Sequence, residues 1–201
     1  GALAAGRVTL TGAQVAWRKT TFAGGMMVDP AAHRWRLTGS LGQLELAELP
    51  RLWPMPALDP LLVSADIDLL GTPRGLEGRV ARGRGAWREV QFDSLGGTWI
   101  LIGHAQTIDA RVRGAGASLS ARGTIGARDI AGVARLTGLE AGRIPGSWWR
   151  GLGLDVTPAG RLETLDAQFT GPHARPTVKG TALVTDVSHA GMEFDHAALG
   201  F

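Results

Sequence analysis

The side chains in this chain that could hold a metal or move a proton are few. Asp186, His189, Asp195 and His196 form the densest group of metal-ligating types. A metal centre needs two or more such groups converging from fixed positions, and here the histidines are separated by an expected turn. Their types suit turns and strand edges equally well, and the group is read that way. For nucleophilic chemistry there is no Gly-x-Ser-x-Gly elbow and no cysteine. The pairs Gly83/Gly85 and Gly114/Gly116 lack the third glycine and the βαβ context of a dinucleotide loop, and no Gly-Lys-Ser/Thr phosphate loop occurs. Asp66 and Asp68 alternate with apolar residues, as acids on the wet side of a strand do. No catalytic residue, metal or cofactor is assigned, and the chain is not expected to be an enzyme.

Charge gives a second route to chemistry. The formal net charge is +3 with an isoelectric point near 10.5, but nucleic-acid binding needs basic residues gathered on one face. The densest group is Arg79, Arg82, Arg84 and Arg88 with Trp87 among them. The reading taken is a solvated strand face whose arginines blunt aggregation, and nucleic acid is not expected as a partner. Without cysteine there is no disulfide or thiolate site to record a redox compartment. No apolar run reaches the roughly 18 residues needed to span a bilayer. The chain opens at Gly1 without a Met and is read as an internal piece of something longer.

The elements that must position these residues are strands. Thirty glycines, 6% aromatic residues and 44% hydrophobic residues suit a turn-dense all-β protein rather than a dense α/β enzyme or a disordered chain. Val63, Ala65, Ile67 and Leu69 alternate with Ser64, Asp66 and Asp68; Ile108, Ala110 and Val112 alternate with Asp109 and Arg111; Leu165, Ala167 and Phe169 alternate with Asp166 and Gln168. Gly12 reads as a bulge or turn. Trp99 to Ile102 is apolar on both sides, which predicts that a second element covers it. Two helical interruptions are expected. One lies near 44–52, where Leu44 to Leu49 leads into a Pro-rich apolar plug through Trp53 and Met55. The other lies near 129–139, where Asp129 would cap a helix from Ile130 to Leu136 with Ile130, Val133 and Leu136 or Ala134 on one stripe. The fold expected is an elongated, twisted, mostly antiparallel curled sheet of about ten to fourteen strands with an apolar groove.

The chain also reads as a repeat at an offset near 100, as in Gly71-Thr72-Pro73 against Gly171-Pro172 and Phe92-Asp93 against Phe194-Asp195. The approximate units are 1–43, 44–128 and 129–201. The order Gly171-x-x-x-x-Pro-x-Val-x-Gly180, then Gly191-Met192-Glu193-Phe194-Asp195, resembles the repeat of the bacterial TamB and wider AsmA-like family. The resemblance implies a segment of an inner-membrane-anchored, periplasm-spanning protein. Its β-groove would carry phospholipid acyl chains between the two membranes, with a link to outer-membrane protein assembly and secretion through an outer-membrane partner. Neighbouring repeats of the same chain would continue the sheet. The groove would be lined by Val63, Ile67, Leu69, Ile108, Val112, Leu119, Leu165, Phe169, Met192 and Phe194. The alternative is a structural or adhesive β-repeat module whose apolar side is filled by its own residues. Small inward residues such as Ala110, Ala121 and Ala167 favour an open groove, and Trp35, Trp87 and Trp99 favour a filled one.

Overall fold

The computed structural model describes residues 2–4, 6–45, 61–87, 90–147, 159–189 and 192–201. They form one sheet of thirteen strands in which every strand pairs with its sequence neighbours. The strands are β1 (Ala2–Ala4), β2 (Arg7–Trp17), β3 (Thr20–Asp29), β4 (Arg34–Glu45), β5 (Leu61–Thr72), β6 (Gly75–Trp87) and β7 (Val90–Ile102). There follow β8 (Ala105–Gly114), β9 (Ala117–Ile125), β10 (Asp129–Glu140), β11 (Ala159–Pro172), β12 (Thr177–His189) and β13 (Met192–Gly200). All twelve pairings are antiparallel. The first strand does not pair with the last, so the sheet is open, a continuous meander consistent with a curled β-groove.

The second helical interruption expected from sequence is not there. Residues 129–140 are β10, paired with β9 on one side and β11 on the other, and the 3-10 turn Ala141–Arg143 follows it. Two flanking strands supply backbone partners along the whole segment, and that outweighs the i, i+3 spacing of Ile130, Val133 and Leu136. At the first interruption, Leu44 and Glu45 end β4, and the rest of that proposed helix and plug lies outside the described residues. The expected cover over Trp99–Ile102 is also missing. Among the described residues there is no second layer, and Ile100 and Ile102 are 37% and 60% exposed.

Bulges bend this sheet and keep its sides sorted. Register shifts fall at Gly12 in β2, Gln43 in β4, Arg82 in β6 and Asp186 in β12, and each of these residues has a left-handed φ. An extra residue at a bulge lets two apolar residues three apart, such as Leu41 and Leu44, both stay on the same side, and it bends the strand locally.

A single layer leaves little interior. The most buried apolar group is Val63, Ala65 and Phe92, packed with Val80, Leu95 and Val112. The chain exposes 13473 Å², whereas a compact protein of its 21.1 kDa would expose about 9,000 Å². The excess is what one uncovered layer predicts.

Candidate functional site: an uncovered apolar face

The strand registers set the apolar residues in rows that cross the sheet at right angles to the strands. A central row runs Ala13, Gly24, Gly39, Ile67, Val80, Gly97, Ala110, Ala121, Ala134, Ala167 and Gly180. Apart from Ile67 and Val80, every member is alanine or glycine. On one side of it run Met26, Leu37, Leu69, Gly78, Trp99, Ile108, Gly123, Gly132, Phe169 and Val178. On the other run Leu95, Val112, Leu119, Leu136, Leu165, Ala182 and Leu199. Side chains on one face of a sheet alternate along each strand and line up between strands, so these rows form a low strip between two higher ones.

Aromatic rings lie flat along this face, and two of them, Phe22 over Gly24 and Gly39 and Phe201 over Gly180, cover the ends of the central row. A Cβ built on Gly132 would lie 2.6 Å from Cζ of Phe169, and one on Gly180 would lie 2.6 Å from Cζ of Phe201. A Cβ on Gly71 would overlap the Trp35 indole, one on Gly39 would overlap the Phe22 ring, and one on Gly78 would meet Trp99 at 3.2 Å. Each ring therefore lies down over a cross-strand glycine, covering the backbone that glycine leaves bare. Trp35 and Trp99, whose size argued for a filled face, lie low along it.

Of the residues selected from sequence, Val63, Ile67, Leu69, Ile108, Val112, Leu119, Leu165 and Phe169 share this face. Beyond the bulge at Asp186, which keeps Val187 on the side of Val184, Phe194 pairs with Val187 and Met192 pairs with His189. Sequence reasoning missed Leu95 and Leu136, and it took the small residues one strand at a time. Their alignment into a row needs the registers.

The opposite face is ionic. Asp68 accepts from Nε of Arg36 at 2.8 Å, and Asp66 accepts from the Ser40 hydroxyl at 2.6 Å and from Arg82. Asp109 is held by Arg122 at 2.7 Å and Asp29 by Arg7 at 3.0 Å. Arg135 and Asp166 lie 3.6 Å apart. Hydrogen bonds from Ser40 and then Arg82 hold the Asp66 carboxyl below the usual carboxylate range, and the bond from Arg36 does the same for Asp68. Such exposed pairs fix register more than they stabilise. The arginine group of the sequence is divided, since Arg82 pairs with Asp66 and Arg88 lies outside the described residues.

Among the described residues no three His, Asp or Glu side chains are placed to hold a metal, and no helix is long and apolar enough to cross a membrane. Among the described residues the fold and face define a class: an open, single-layer antiparallel meander with one uncovered apolar side. No family model, curated protein or solved structure matches the chain.

Proposed function

We propose that this chain is a segment of a TamB-like or AsmA-like envelope protein and that its apolar face carries phospholipid acyl chains. The observation that carries the reading is the uncovered apolar face with its row of small residues, flanked by larger side chains and by rings laid flat. An apolar face of this extent is costly to leave in water, and on soluble proteins patches of this kind mark interaction or ligand sites. An acyl chain suits it, since each buried CH₂ contributes roughly 0.8 kcal/mol and needs no directional partner. The low row would receive the chain and the flanking leucines, Trp99 and Phe169 would wall it in. On this reading the protein works in the periplasm, anchored to the inner membrane, and neighbouring repeats of the same polypeptide continue the sheet. Its role is lipid transfer towards the outer membrane, linked through an outer-membrane partner to protein assembly and secretion there.

The test is native mass spectrometry of the chain purified from a bacterial envelope. The reading requires co-purified phospholipid that is lost on Ile67→Asp and kept on Asp166→Asn. A lipid-free protein whose apolar face is covered by its own residues would make it a structural or adhesive module instead.

A further inference from the structure

The ionic face has a feature that ion pairing does not use up. An open depression of about 940 Å³ crosses β8 to β13 on this side, bordered by Arg111, Arg122, Arg135 and Lys179 with Asp109 and Asp166. The two acids are committed to Arg122 and Arg135. Arg111 and Lys179 have no carboxylate within ion-pair distance among the described residues. A second depression adjoins the first at Asp109 and Arg111 and adds Arg79 and Arg113. The two together carry six cations and two anions, a balance of 6 − 2 = +4.

We propose that this trough docks an acidic polypeptide segment, independently of what the apolar face carries. Clefts lined by one sign of charge concentrate the opposite charge. The span from Arg111 on β8 to Lys179 on β12 is four strand spacings, about 19 Å, the length of roughly six extended residues. Ser120, Gln168 and Thr181 along the same depression offer further donors. Single-stranded nucleic acid would need stacking platforms, but the rings of Trp99, Phe169 and Phe201 lie on the glycines of the other face. The exposed apolar residues that border the trough are Val133, which offers none, and Phe201, whose ring lies across Gly180.

Fluorescence anisotropy of a labelled ten-residue glutamate peptide, at low salt and with the whole chain, tests this. The expected result is saturable binding that an equally long glutamine peptide does not show. The double variant Arg111→Gln/Lys179→Gln should weaken it by about fivefold or more, and Arg111→Lys should not. Lys19→Gln/Arg74→Gln removes the same charge elsewhere and should leave binding unchanged. Equal weakening by the two double variants would overturn the proposal, as would tighter binding of a thymidine decamer than of the acidic peptide.

Discussion

Phe169 on β11 lies flat across Gly132 on β10, so close that a methyl group on the glycine would sit 2.6 Å from Cζ of the ring and 2.6 Å from the Arg122 carbonyl oxygen. Gly132→Ala should therefore cost about 1–3 kcal/mol, as overpacking does. Part of that cost should vanish in a Phe169→Leu background, giving a coupling of roughly 0.5–1.5 kcal/mol in a double-mutant cycle followed by urea unfolding.

β10 makes a prediction that a helix would not. Val133 lies on the ionic side, 53% exposed, and Leu136 lies on the apolar row between Leu119 and Leu165. Val133→Thr should be within about 0.5 kcal/mol of neutral, and Leu136→Thr should cost about 1–2 kcal/mol. Chemical denaturation of the two variants compares them directly. On a helix both residues would occupy one buried stripe, and both changes would be costly.

That segment also shows where the sequence was hard to read. Strands such as Val63–Leu70 were legible because a large apolar residue alternates with an acid. In β10 the positions alternating with Ala131, Val133 and Arg135 are Gly132 and Ala134, members of the low rows, so the period-two contrast disappears and the i, i+3 spacing of Ile130, Val133 and Leu136 dominates. The small residues that lower the face are the same ones that hide the strand. The central row was illegible for a different reason. It joins residues from eleven strands, and it exists only in the registers between them, which no single strand displays.

Acid should loosen the ionic face. Asp66 and Asp68 have lowered pKa values in the folded chain, through Ser40 and Arg82 and through Arg36 respectively. A lowered folded pKa means that the stabilisation is fully present above the ordinary carboxylate pKa of about 4 and is lost as pH falls through the depressed value. Urea midpoints measured from about pH 6 to about pH 2 should drop over the acidic end, and Asp68→Asn should flatten that drop.

β13 offers an open edge. Phe201 exchanges backbone hydrogen bonds with Gly180, so by antiparallel alternation the N–H of Ala198 points away from β12. No Lys or Pro protects the edge from 192 to 201. Ala198→Pro should therefore reduce self-association in sedimentation velocity while leaving the unfolding midpoint nearly unchanged.

The central claim is that acyl chains lie along the row of small residues. The most direct measurement places photoreactive benzoylphenylalanine at Ala134 or Ala167, and separately at Arg135 or Asp166, in protein irradiated within a bacterial envelope, and then weighs the intact product. Acyl chains on the small row should give phospholipid adducts from positions 134 and 167 and none from positions 135 and 166. Adducts at equal yield from both faces, or none from the small row in a correctly folded protein, would contradict it.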